Sequence, residues 1–185
     1  MSSLPFLPHL EAIADAYDAL GDDVSSMDCY RWSMLAADSV RRARQLALTF
    51  DISVTDDDES YPSAEAMIAD VSMRRFVVSR ANCEHPVWSP AENVAFRTVH
   101  DICGHYAASR DTLAGFDWEG ENCACAAHFP LLGVSARIAL FTECIARTGF
   151  AIARGGFGAR KVGVIRGASG LEIAIDRVVF DGVAC

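Results

Sequence analysis

Ser89-Pro90-Ala91-Glu92-Asn93-Val94-Ala95-Phe96-Arg97-Thr98-Val99-His100-Asp101-Ile102-Cys103-Gly104-His105 is the stretch around which the chain organises itself. Ser89 is suited to cap a helix, and Pro90 suits the first helical position, where a missing N–H costs nothing. The helix so started delivers His100, and Gly104 stands just before His105. Residues five apart lie roughly 140° from each other around an α-helix, so the two imidazoles cannot face one cation from an undistorted helix. The expectation is that Gly104 terminates the helix and that His105 swings back from the first non-helical residues. Asp101 points elsewhere on the helix and reads as a nearby hydrogen-bond acceptor or local cap.

A carboxylate arrives from a separate apolar segment. Glu143 lies thirty-eight residues after His105, within Ile138-Ala139-Leu140-Phe141-Thr142-Glu143-Cys144-Ile145. A lone carboxylate among apolar residues must be paired or bound to a cation, because burying it bare costs several kcal/mol. Two imidazoles and one carboxylate form a facial triad, which leaves half of a metal's coordination sphere open for O2 and substrate. The bland alternative places Glu143 on an exposed helix face and makes the histidines satisfied core residues.

Outward from this motif the pattern is mostly helical. Leu10, Ile13, Ala14, Tyr17 and Leu20 recur at helical spacing over residues 7–20, with Gly21 as a stop. Ser25 and Ser26 precede a second long helix carrying Tyr30, Met34, Leu35, Val40, Leu46 and Leu48. Asp56-Asp57-Asp58-Glu59 lacks the alternating donors, Gly turn and distal Glu of a calcium loop and reads as a solvated loop. Ser63 caps a short helix, and Phe76-Val77-Val78 is the clear strand candidate in the first half. Helices are expected over 117–128 and 131–148, separated by Pro130, and a β-hairpin over Val162 to Ile165 with Leu171 to Phe180. With no repeat and no linker, residues 1–185 read as one mainly α (α+β) domain with a small β-hairpin element.

Composition narrows the function. Hydrophobic residues make up 51% of the chain, enough for a core, and the net charge of −9 disfavours nucleic acid, whose binding rests on Lys and Arg. No stretch reaches the ~20 apolar residues of a membrane span and the start lacks a secretion signal, so a cytoplasmic protein without a membrane partner is expected. The seven cysteines read as reduced thiols.

The segment from about Ser63 to Glu143 resembles the catalytic core of the pterin-dependent aromatic amino acid hydroxylases. That family has a Thr-Pro-Glu-Pro loop, then His-Glu-Leu-Leu-Gly-His, then Phe-Thr-Val-Glu-Phe-Gly; here the order is Ser89-Pro90, His100-Asp101-Ile102-Cys103-Gly104-His105 and Phe141-Thr142-Glu143. The resemblance implies an abbreviated hydroxylase-like fold, Fe(II) held by His100, His105 and Glu143, and a substrate carboxylate clamped by Arg80, with Ser89 as a further substrate contact. It covers under half of the chain. The interval between the Pro loop and the first histidine is longer here, Asp101 replaces the family's glutamate, and the chain is shorter than the usual catalytic domain; these departures count against pterin as a cofactor.

A second constellation lies in Trp118-Glu119-Gly120-Glu121-Asn122-Cys123-Ala124-Cys125-Ala126-Ala127-His128. Glu121, Cys125 and His128 share one helical face, suited to a second metal or to acid/base groups beside the first. Glu121, His128 and Asp101 are accordingly the expected catalytic side chains, and Trp118 joins Arg80 and Ser89 as a substrate contact. Tyr106, Phe116 and Phe141 are further candidates for a pocket wall, although such aromatics more often belong to a plain core. Arg154-Gly155-Gly156-Phe157-Gly158-Ala159-Arg160-Lys161 lacks the Gly-Lys-Ser/Thr ending of a P-loop and reads as a lid or turn.

The expected function is that of a mononuclear non-haem Fe(II) oxygenase. Its partners are O2 and a small, aromatic or amino-acid-like substrate. The alternative is a zinc-dependent hydrolase on the same ligands, with Glu119 or Glu121 as general base. A third class is an interaction protein in which His and Glu only support folding.

Overall fold

A computed structural model describes residues 9–21, 24–109 and 115–165 of the chain. Its architecture is mainly helical, with one small sheet. Helix α1 (Leu10–Asp18) buries Ile13, Ala14 and Tyr17, as the spacing predicts. Helix α2 (Ser26–Leu46) is capped by the Ser25 side chain, which accepts from the Asp28 amide. The face it buries is set by Trp32, Leu35, Ala36 and Ser39; Tyr30 and Leu48, expected inside, are exposed. Trp32 prevails because its indole is the largest fully buried side chain, and its Nε1 donates to the Val162 carbonyl at 2.7 Å.

Strand β1 (Asp51–Thr55), helix α3 (Ala64–Ser72) and strand β2 (Arg75–Ser79) form a β-α-β unit whose strands pair in parallel, Asp51 opposite Arg75 through Thr55 opposite Ser79. The β2 strand and the Ser63 cap agree with the sequence reading. The sheet is therefore parallel and lies in the first half. Of the hairpin expected further on, Val162 to Ile165 run as buried non-strand chain against the core, and Leu171 to Phe180 lie outside the described residues.

Helix α4 (Pro90–His100) begins with Ser89 and Glu92 in a reciprocal capping box, Pro90 at its first position. Gly104 does not stop it. The backbone passes from α4 directly into a π-helical segment, Asp101–Tyr106, and on to Ala108. A π-turn hydrogen-bonds residues five apart, so it brings positions i and i+5 into succession on one side, and the problem posed by the His100/His105 spacing is solved without a break. Gly104 serves closeness instead of termination: a Cβ there would stand 2.9 Å from the Ala124 carbonyl oxygen of helix α5 (Trp118–His128).

The last rod is also interrupted by a π-segment. Helix α6 (Val134–Leu140), the π-helical Phe141–Ala146 and helix α7 (Arg147–Arg154) follow one another without a gap, and Gly155 at φ 78° closes the end. The helix thus outlasts Gly149, where a Cβ would press on the Trp118 ring at 3.1 Å. The main core gathers Trp32, Leu35, Trp88, Phe129, Leu140, Phe141 and Ile145; a second cluster of Met67, Val71, Phe76, Val78 and Ile102 joins the β-α-β unit to the first π-segment.

Candidate metal centre

Both π-segments and helix α5 turn their polar side chains toward one place. Such segments concentrate at functional sites, where an extra residue in the turn re-aims a side chain. His100 and His105 are buried, 7% and 1% exposed, on the helix through the first π-segment, and Glu121 reaches them from α5. His100 Nε2 lies 3.4 Å from Glu121 Oε2, and His105 Nε2 lies 3.4 Å from Glu121 Oε1. One ligand atom from each of the three residues falls within 4.8 Å of the others, the spacing of donors around a single cation.

The structure therefore brings Glu121, not Glu143, to the two histidines. Glu143 is buried on the second π-segment, but its Oε1 is 3.4 Å from Arg147 Nη1 and 3.2 Å from Arg160 Nε, and it belongs to neither metal-capable group among the described residues. The need of a buried carboxylate for a countercharge was read correctly from the sequence; the countercharge the structure gives it is two guanidiniums.

Glu121 and His100 share a cavity of about 580 Å³ with Phe96, Arg97, Glu143, Arg147, Phe157 and Arg160 among its lining residues. The Phe96 ring lies nearly parallel to the His100 ring, 5.9 Å between centroids, and Arg147 stacks over Phe157 at 4.4 Å. Arg97 donates to the Ser79, Ala81 and Asn82 carbonyls, which fixes its side chain as part of the wall. The buried Nε atoms of Arg147 and Arg160 make no hydrogen bond of good geometry, even though Arg160 Nε is close to Glu143.

The other face of His100 is thiol and imidazole. Its Nδ1 is 3.4 Å from His128 Nδ1 and 3.6 Å from Cys144 Sγ, and Cys125 completes a second group with His100 and Cys144. Burial opposes charge on His100, while the Cys144 sulfur and Glu121 favour it; the outcome lies well above the ordinary imidazole range. Burial alone would raise the Glu121 carboxyl, but His105 and His100 hold it well below the carboxylate range. Burial and the neighbouring His100 push His128 well below the usual value, so it is neutral, and burial likewise raises the Cys144 and Cys125 thiols.

Several expected contacts are placed elsewhere. Arg80 is exposed and ion-paired with Asp56. Ser89 is spent on the capping box, and Trp118 packs on Gly149 and the main core. None of the three lines the cavity. Asp101 opens onto a smaller recess of about 290 Å³ with Tyr61, Met67 and Phe116, and burial raises its carboxyl. Of the aromatics, Phe116 meets the His105 ring edge-on at 5.3 Å and Phe141 is core, whereas Phe96 and Phe157 form the cavity wall. Glu121, Cys125 and His128 share one side of α5 as their spacing implies. The cavity arginines escaped the sequence reading, although Glu143 and Arg147 stand at the i,i+4 spacing of a helical ion pair.

No family model matches this chain, and neither a curated protein nor a solved structure matches it.

Proposed function

We propose that the protein is a mononuclear non-haem iron oxygenase that oxidises a small acidic molecule, with His100, His105 and Glu121 as the iron ligands. The observation that carries this reading is the convergence of two ring nitrogens and one carboxylate, of which His100 and Glu121 line a cavity that also carries Phe96, Phe157 and three arginines beside Asp58 and Glu143. The donor set fits a divalent iron: two neutral imidazoles and a carboxylate on one side form the facial arrangement that keeps positions open. Fe(II) bound there would supply activation of O2 for attack on a substrate C–H bond, with reducing equivalents from an outside donor.

The chain's own residues do the rest. Arg147 and Arg160 offer guanidinium donors to a carboxylate or similar acidic group, and Glu143 keeps the pair from repelling each other in its absence. Phe96 and Phe157 give the substrate body apolar walls and thin the water around the reacting position. Arg97, tied to three carbonyls, holds the wall near β2 in place. His100 and His105 would hold the cation through neutral imidazole nitrogens, and Glu121, kept ionised by its imidazole neighbours, would supply the negative charge.

Of the two bases expected for the hydrolase alternative, Glu121 lies among the metal-capable donors and Glu119 is exposed and does not line the cavity, which favours the oxygenase reading. Anaerobic Fe(II) titration followed by O2 uptake with a panel of small aromatic and aliphatic acids tests the proposal. One tight iron per chain with substrate-dependent O2 uptake, both lost in Glu121→Gln, is expected. Full occupancy by zinc with ester or amide hydrolysis and no O2 uptake would overturn it.

A further inference from the structure

The Nδ1 side of His100 is not needed for the iron centre, yet it is the more buried and the more metal-like in chemistry. Cys125, at 0% exposure on α5, and Cys144, at 4% on the second π-segment, converge there with His100, their ligand atoms all within 4.8 Å. For metal–sulfur bonds of about 2.3 Å and metal–nitrogen bonds of about 2.0–2.1 Å, the edges of a tetrahedron are about 3.6 Å for S···N and about 3.4 Å for N···N. Cys144 Sγ to His100 Nδ1 is 3.6 Å, and His128 Nδ1 to His100 Nδ1 is 3.4 Å. A single proton on Nδ1 serves only one of these contacts at a time. A cation serves them together.

We propose a second metal site, built from His100 Nδ1, Cys125 and Cys144 with His128 nearest to the fourth position, that takes a soft or borderline cation of the zinc class. Two thiolates and an imidazole select such an ion over the harder iron, which the imidazole and carboxylate set on the other face of the ring accommodates. The site goes beyond the iron reading and shares only His100 with it. With both faces filled, His100 loses both ring protons and bridges the two cations as an imidazolate; with only the thiolate face filled, Nε2–H donates to Glu121, the arrangement in which a carboxylate orients a metal-bound histidine. Either way the thiolate cation fixes the ring whose other nitrogen faces the cavity.

Cobalt(II) titration of the full chain, purified under reducing conditions and freed of metal, tests this. Thiolate ligation gives an intense near-ultraviolet charge-transfer band, together with visible bands of tetrahedral strength, which an imidazole–carboxylate site does not produce. The band should appear at one equivalent in the wild type, persist in Glu121→Gln, where the iron ligand set is broken, and vanish in Cys125→Ser and in Cys144→Ser. Because either serine variant is at a buried position, X-ray absorption at the zinc edge of the zinc-loaded wild-type chain, where two sulfur scatterers at about 2.3 Å are expected, gives a reading independent of their folding. Absence of the charge-transfer band from wild type, or a zinc edge without sulfur scatterers, would overturn the site while leaving the iron reading to stand or fall on Glu121→Gln and O2 uptake.

Discussion

Glu121 and Glu143 face the same cavity from different helices, and they differ in what they face. Glu121 has an imidazole nitrogen 3.4 Å from each of its oxygens, whereas Glu143 has guanidiniums at 3.2 and 3.4 Å from one oxygen. A guanidinium is always charged, so the charge of Glu143 is already compensated. An imidazole gives up its proton to a metal, so the charge of Glu121 remains available to a divalent cation. The comparison teaches that burial identifies a carboxylate needing a cation but not which cation it has; the neighbours' chemistry decides.

The largest expected effect separates the two by function. Glu121→Gln should weaken iron binding by at least about 100-fold, since even partners that only orient a ligand are worth 10- to 100-fold, while Glu143→Gln should keep it within a few-fold. Anaerobic iron titration reads both. Stability should rank them the other way. Glu143→Gln leaves two largely buried guanidiniums uncompensated and should cost about 2–3 kcal/mol in urea unfolding, a figure reduced from that of fully buried pairs for their partial exposure.

Gly104→Ala sharpens the comparison by disturbing only the Glu121 side. A methyl group 2.9 Å from the Ala124 carbonyl pushes α5 off the first π-segment, and overpacking of that kind costs about 1–3 kcal/mol. Iron affinity should fall with it while the Glu143 ion pairs persist. The metal-free protein should also lose stability in acid. His85 accepts from the Val87 and Trp88 amides at Nδ1, stacks on Trp88, and is pushed by burial from the ordinary imidazole value to about 4. The unfolded chain therefore binds the extra proton first, and stability present above about pH 6.5 is lost progressively as pH falls toward 4. Thermal melts of wild type and His85→Gln across that window should converge as the pH drops. The smallest effect belongs to Arg80→Ala, whose solvent-screened ion pair with Asp56 should leave both the urea midpoint and iron binding indistinguishable from wild type.

What was legible in the sequence was what is decided locally. The Ser63 and Ser89 caps and the α1 and α5 spans follow from side chains within a few residues of one another. Gly104 was misread because a glycine that ends a helix and one that admits a neighbouring helix look alike until the neighbour is placed. Strand β1 was missed because it is short and largely exposed, and its pairing depends on β2 beyond an intervening helix. In the cluster the structure assembles, His100 and His105 stand out in the sequence by their motif, whereas Glu121 reads there only as an acid/base or second-metal residue on a face shared with Cys125 and His128. The exchange of Glu143 for Glu121 was invisible because Arg160, one of the two groups that compensate Glu143, lies in a glycine-rich stretch with no pattern linking it to the motif.

Anomalous scattering at the iron edge from crystals of the iron-loaded protein tests the central claim most directly. A peak is expected within bonding distance of His100 Nε2, His105 Nε2 and a Glu121 oxygen, with Glu143 still paired to Arg147 and Arg160. A peak bonded to Glu143, with Glu121 turned away from the histidines, would contradict it.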